Sequence, residues 1–288
     1  MNNIPFFSIV IPTLNEEKFL PFLLEDLCRQ SFTDFEVIHV DGDSEDNTIE
    51  EAYKFNKRIK IHSVSAKIKN VGFQRNIGIN KSKGKWIIFM DADNRLPDYF
   101  LDGIKYRLAK NINTDFFSTW IKVSGDTKRN QYIEKIFNFA AELNKSIGNE
   151  TALGSMIGIK NEIAQKYKFD DKQKVMEDYL FIKNLSKDGY VFNIFKDPKY
   201  IYSLRRIESN GLLNYIQVNS KILFNYFVLG NDFKNDNHGY KMNGGNEYLK
   251  SNNKFFKTFT SLENLIKSQP RNKLDKVLEV FNSFKDNF

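Results

Sequence analysis

The sequence predicts an α/β fold: a mixed, mainly parallel sheet flanked by helices, with a helical C-terminal extension. Three observations carry that prediction. Apolar, β-rich runs alternate along the first half of the chain with segments of helical spacing, the rhythm of strand-helix-strand units. The runs "FSIVI" and "WIIFM" are apolar almost throughout, as central strands covered on both faces must be. With 288 residues and 41% hydrophobic content, the chain is long enough to bury a substantial core.

In order, strands are expected at Phe7 to Ile11, Glu36 to Val40, Lys60 to Val64, Trp86 to Met90 and Phe116 to Val123. Helical spacing falls between them. Phe19, Leu20, Leu23, Leu24 and Leu27 mark the first helix, in which Pro21 predicts a late start or a bend because it lacks an N–H. Asn70 to Lys81 and Pro97 to Leu108 follow. After Val123 the pattern changes to a helix near Gln131 to Ser146, a glycine-punctuated "ALGSMIGIK", an acidic helix start at "VMEDYLFIKNL", and paired strands around Val191 to Leu204. A helix is expected over Leu212 to Leu229, then a polar linker. In the tail, Thr260 to Glu263 fits a capping box, and Leu274, Val277, Leu278, Phe281 and Phe284 form an apolar stripe. That stripe reads as core-covering, with a membrane surface or partner helix as the minority alternative.

Composition excludes several classes. Phe 27 and Tyr 13 argue against disorder. The longest apolar candidate, "ILFNYFVLG", falls far short of the roughly 20 residues of a membrane span and is broken by Asn225. No basic n-region or cleavage site precedes the first strand, and the single Cys28 suits a reducing compartment, so a cytoplasmic location is expected. The net charge of +7 is spread among acids like an ordinary solvated surface, and no nucleic-acid-binding motif is present. No nucleic-acid partner is expected. Few histidines and no Gly-x-Ser-x-Gly elbow argue against a hydrolase triad, and one Cys against a zinc site. Gly-x-Gly-x-x-Gly does not follow the first strand, nor does a P-loop.

Carboxylates gather at strand tips. In an open α/β sheet, ligands bind beyond the carboxyl ends of the strands, where Asp41, Asp43, Asp91 and Asp93 would lie. Two carboxylates one residue apart repel unless a cation or donors compensate, so Asp91-Ala92-Asp93 suggests a divalent metal with oxygen ligands, Mn2+ or Mg2+. A calcium loop fails, because its fifth, sixth and twelfth positions hold Arg95, Leu96 and Asp102. The competing structural explanation makes Asp93 and Asn94 caps of the helix near Pro97.

Taken together, "VIPTLNEE", "VDGDSEDNT", "GFQRNIG" and "FMDADN", in that order and each at a strand tip or helix entrance, resemble the family-2 inverting glycosyltransferases, with their A-type nucleotide-sugar-binding fold. The resemblance covers roughly residues 6 to 210. It implies that Pro12 and Thr13 border the nucleobase pocket and that Asn15 and Glu16 shape the first turn. Asp41 would face the base, expected to be uracil, and Arg75 would lie near base or diphosphate. Asp91 would hold the ribose or a metal-bound water, and Asp93 the metal that bridges the phosphates. Arg205 or Arg206, in "YSLRRIESNG", would reach the diphosphate, for which the planar guanidinium is suited. In "VMEDYLF", Asp178 matches the general base of such enzymes and Glu177 an acceptor-binding or supporting group; the plain alternative is that both acids favour a helix N-terminus. Gly154 and Ser155 match the loop beneath sugar and acceptor. Gly42 departs from the pattern, since many relatives carry a second Asp there.

The resemblance thus implies residues 1–230 as the catalytic domain, with about 1–125 binding the nucleotide sugar and about 126–230 facing the acceptor, followed by a linker and tail over 231–288. It implies transfer of one sugar from a nucleoside-diphosphate donor to a hydroxyl of a glycan or lipid-linked acceptor, with peripheral membrane contact as an open question. Processive synthesis is disfavoured, because Gln-x-x-Arg-Trp is missing. A non-catalytic nucleotide-sugar-binding scaffold of the same fold is the rival reading.

Overall fold

A computed structural model describes residues 4–146, 148, 150, 154–205 and 234. The first strand, β1 (Phe7–Thr13), runs into α1 (Leu20–Cys28), then β2 (Phe35–Asp41), α2 (Thr48–Tyr53), β3 (Ile61–Ser65), α3 (Val71–Lys81) and β4 (Trp86–Met90). Next come α4 (Phe100–Lys110), β5 (Phe116–Val123), α5 (Lys128–Ser146), β6 (Met156–Lys160), α6 (Asn161–Lys166), α7 (Glu177–Lys187) and β7 (Phe192–Tyr202). One sheet results, in the order β3-β2-β1-β4-β6-β5-β7, with β6 antiparallel to both neighbours and the remaining pairs parallel.

Strand alternation splits the core into two layers. Phe7, Ile9, Ile11, Ile88 and Met90 face α1 and α4, whereas Val10, Ile38, Ile87 and Phe89 face α3, α6 and α7. Each fully buried side chain of this kind contributes about 1.5–3 kcal/mol relative to exposure. Close contact of α3 with β1 depends on Gly78, where a methyl group would overlap Val10. Strands β2 and β3 are added on one side of β1 and β4 on the other, so the strand order switches between β1 and β4, and the crevice for a ligand opens at the carboxyl ends of those strands.

Several expectations are corrected in detail. Pro21 sits in the first turn of α1 rather than delaying or bending it, because a first-turn N–H has no helical partner to lose. The "MIGIK" stretch is a central strand, β6, lying between β4 and β5. Only one strand, β7, occupies the region expected to hold a pair; it lies at the sheet edge, its register with β5 shifts between Thr119 and Ile121, and Pro198 is tolerated there because an edge strand can spare a donor. Helix α4 starts at Phe100, so Asp93 and Asn94 are not its caps. The expected helix over 212–229, the linker apart from Lys234, the tail and Arg206 lie outside the described residues.

Candidate active site

Four loops converge at one edge of the sheet, those after β1, β2 and β4 and the turn before β6. Thr13 ends β1 opposite Asp41, which ends β2, and Met90 ends β4 opposite Met156, the start of β6. This register brings Thr13, Asp41, Asp91 and Ser155 to one edge. The first two loops are stitched together: Asn15 N–H donates to Ser44 Oγ, Glu45 N–H to Asn15 Oδ1, and Glu16 N–H to Thr48 Oγ1, each at 2.8 Å.

Asn15, Asp43 and Met176 are the non-glycine residues described with positive φ, at 55°, 67° and 64°. Asn and Asp tolerate that conformation; Met does not, and its position immediately before α7 marks a backbone held against its preference.

Around the expected base pocket, a hydrogen-bond relay fixes Asp41. Thr13 Oγ1 donates to Asp41 Oδ1 at 2.9 Å, so its single proton is spent, and His39 Nε2, 2.9 Å from the same oxygen, must be the donor to it. His39 Nδ1 is then the acceptor for Ser63 Oγ at 3.1 Å. The ring is buried and its pKa is lowered to about 4 by desolvation, against the pull of Asp41, so it stays neutral. Ser44 adds two donors to the Asp41 carboxylate, N–H at 2.9 Å and Oγ at 2.6 Å. Gln74 Nε2 ties the two strand tips by donating to Thr13 O at 2.7 Å and Val40 O at 2.9 Å. A side chain at Gly42 would collide with that amide and with Thr13 O, which accounts for glycine there. Pro12 is buried within β1 behind Thr13.

Arg75 forms the centre of the deeper half. From α3, where it is 2% exposed, its Nη1 reaches Glu177 Oε1 at 3.0 Å, and its Nη2 reaches Gly154 O at 2.8 Å and Asp91 Oδ1 at 3.3 Å. Its guanidinium lies over the Phe169 ring, 5.3 Å from the centroid. One cation thus joins the β4 tip, the turn before β6 and the start of α7. Glu177 is pushed up to about 7, first by burial and then by the neighbouring Asp178 charge, with Arg75 opposing. Asp178 accepts from Tyr179 N–H at 2.7 Å at the helix N-terminus. Its carboxylate occupies the space that a side chain at Gly154 would fill, which explains the glycine. Ser155 contacts Tyr200 OH at 2.8 Å and, through its carbonyl, Asn94 Nδ2 at 2.7 Å.

A second cation, Arg205, closes the outer side. It grips Glu16 with both terminal nitrogens, at 2.7 and 2.5 Å, and its Nε lies 2.8 Å from Asp93 Oδ2. The Glu16 carboxyl is raised, chiefly by burial, with Arg205 lowering it and Asp93 and Asp91 raising it. Glu16, Asp91 and Asp93 therefore feel one another's charge. Among the described residues no three acidic, histidine or cysteine side chains form a ready metal cage. Asp91 and Asp93 are the carboxylates that would hold a divalent cation, and Asp93 is here paired with Arg205.

The raised Glu177 has a measurable consequence. A carboxyl whose folded pKa lies above its unfolded value binds more protons when folded, so its contribution is present at low pH and is lost as pH rises through about 7. Glu177→Gln should therefore lose about 2 kcal/mol relative to the wild type on moving from pH 7 to pH 5. Urea unfolding of both proteins at the two pH values checks this; parallel pH dependences would refute the assignment.

Sequence reasoning passed over His39, Gln74 and Asp26. His39 stands inside an apolar strand, yet it holds Thr13, which in turn donates to Asp41. For Asp26 a signal existed: it is an acid on the otherwise apolar stripe of Leu20, Leu23 and Leu27.

Known proteins resemble this chain in sequence and in fold. A family model described as "Glycosyl transferase family 2" covers residues 8–168. An uncharacterized glycosyltransferase of Methanocaldococcus jannaschii is 29% identical over 246 residues, 81% of each chain. The poly(ribitol-phosphate) beta-N-acetylglucosaminyltransferase TarP of Staphylococcus aureus is 24% identical over 96% of this chain and 92% of its own. Among solved structures, the mannosyltransferase PcManGT of Pyrobaculum calidifontis, in complex with GDP-Man and Mn2+, superposes with a TM-score of 0.62 at 17% identity, over 80% of this chain and 65% of its own. S. aureus TarS 1–349 in complex with UDP gives 0.56 at 22% identity, over 75% and 64%. The chain thus spans just under two thirds of each of these two structures, and the likeness to them is one of fold.

Proposed function

The chain belongs to glycosyl transferase family 2, and from that premise we propose that it transfers a single sugar, with inversion, from a UDP-sugar to a hydroxyl of a cell-envelope glycan or lipid-linked precursor. The observation that carries the reading is the Arg75 hub, which ties a donor-side carboxylate, Asp91, to the acid pair Glu177 and Asp178. A site for attack on a nucleotide sugar needs that adjacency of donor and base. The UDP bound by TarS and the glycan acceptor in the name of TarP support the donor and acceptor classes.

In this reading, Thr13 and Asp41 hold the nucleobase, and Asp91 and Asp93 hold Mn2+ or Mg2+, with Arg205 released from Asp93 to the diphosphate. When bound, the cation neutralises the charge that builds on the departing nucleoside diphosphate. Asp178 takes the acceptor's hydroxyl proton as its oxygen bonds to the sugar C1. The bond from C1 to the β-phosphate oxygen breaks, and its electron pair leaves with the nucleotide. Gly154 leaves room for that carboxylate beside the sugar, and Arg75 holds the adjacent Glu177 at the start of α7.

Calorimetric titration with UDP, GDP and dTDP, with and without Mn2+, tests the donor half. UDP should bind most tightly, only with metal, and Asp93→Ala should weaken it at least tenfold. Failure of every nucleotide to bind would sink the proposal.

A further inference from the structure

Two arginines stack on two phenylalanines of the α1 region. Arg205 lies over Phe19, 4.6 Å from its centroid, and Arg95 over Phe22 at 5.2 Å. One turn on, Asp26 is 1% exposed and its carboxylate accepts from Arg95 Nε at 2.6 Å, Arg95 Nη2 at 2.8 Å and Leu96 N–H at 2.9 Å. Phe19, Phe22 and Asp26 are spaced for one helix face. Arg95 follows Asp93 by two residues, and its main chain exchanges both hydrogen bonds with Ile201, at 3.0 and 2.8 Å, four residues before Arg205. A closed ring results: Asp26 holds Arg95, Arg95 holds Ile201, and Arg205 returns to Asp93, Glu16 and Phe19.

We infer that Asp26 is a positioning residue, which through Arg95 sets the distance between the carboxylate loop at Asp93 and the segment that carries Arg205. This rests on the reading of Asp93 and Arg205 as donor-binding groups. A fork held at two nitrogens by one buried carboxylate fixes angle as well as distance, which a lone surface pair does not. The geometry matters because an error of about 1 Å at a reacting centre costs on the order of a hundredfold.

The test uses the full chain and two readouts, amide exchange and affinity for UDP with Mn2+. Asp26→Asn should exchange the Arg95, Leu96 and Ile201 amides at least tenfold faster while β1 and β2 stay protected, and bind UDP five- to twentyfold more weakly. Arg29→Ala, which removes the Arg29 Nη2 partner of Asp26 at 2.5 Å but leaves the Arg95 fork in place, should leave affinity within twofold. Adding Asp26→Asn to Arg95→Gln should cost nothing more, since the two act as one unit. Unchanged exchange at these amides overturns the tether, and faster exchange with undiminished UDP affinity overturns the positioning role. If Asp26→Asn does not fold, Arg95→Gln carries both readouts. Wild-type protein that binds no UDP would sink the proposed function instead, and the exchange result would still decide whether the tether exists.

Discussion

Replacing Arg75 with methionine is expected to cost about 3–5 kcal/mol of stability at pH 8, because it strips a buried cation from two carboxylates and leaves the Gly154 carbonyl without its donor. Methionine fills most of the volume, so the loss reports charge and hydrogen bonding rather than a cavity. The loss should shrink at pH 5. Glu177 already titrates near 7 with Arg75 in place, and without it the carboxyl is raised further and takes up a proton instead of remaining charged. Arg75→Lys should recover only part of the stability, since a point charge on a flexible stem cannot serve Glu177, Asp91 and Gly154 together. Urea unfolding at both pH values is the measurement. A methionine variant as stable as the wild type at pH 8 would show that the hub is not what holds the β4 tip to α7.

The parts of the fold that were legible in sequence are those set by local pattern. Runs such as "WIIFM" are apolar because both faces of the sheet are covered, and that strand was located to the residue. What escaped was set by pairing at a distance. The five residues of β6 contain Gly158, packed against Phe117, and nothing local distinguishes them from a buried turn; they form a strand because β4 and β5 leave a gap of one strand's width. Likewise, the stretch expected to hold paired strands is the single strand β7, which at the sheet edge carries Pro198 and a register shift against β5.

For the site, the motifs located the acids but not their partners. Asp91 and Glu177 lie 86 positions apart in sequence, and no local signal says that one arginine braces both ends of that interval. The resemblance places Arg75 near base or diphosphate; its carboxylate partners are not legible locally, because they follow from the turn of α3 and the packing of Phe169. His39 was equally opaque. A histidine inside an apolar strand reads as packing, and only the spent proton of Thr13 reveals which ring nitrogen donates.

Asp178→Asn should lower kcat by about 10²–10⁴, the range that a positioned general base contributes, while donor affinity stays within a few-fold of the wild type. The substitution preserves shape, so the hydrogen bond from Tyr179 N–H can persist through the amide oxygen, and α7 keeps its start. Stability should hold or rise, since removing the Asp178 charge relieves one cause of the raised Glu177. This pattern separates a base from a helix-terminal acid. Were Asp178 only favouring the α7 N-terminus, its loss would cost about 0.3–1 kcal/mol of stability and leave turnover intact. Kinetics on a UDP-sugar and a hydroxyl-bearing glycan acceptor, set beside UDP calorimetry on the same variant, distinguish the two. Normal kcat with lowered stability would remove Asp178 from the chemistry, whereas lost turnover with unchanged UDP binding would assign the missing step to proton removal from the acceptor.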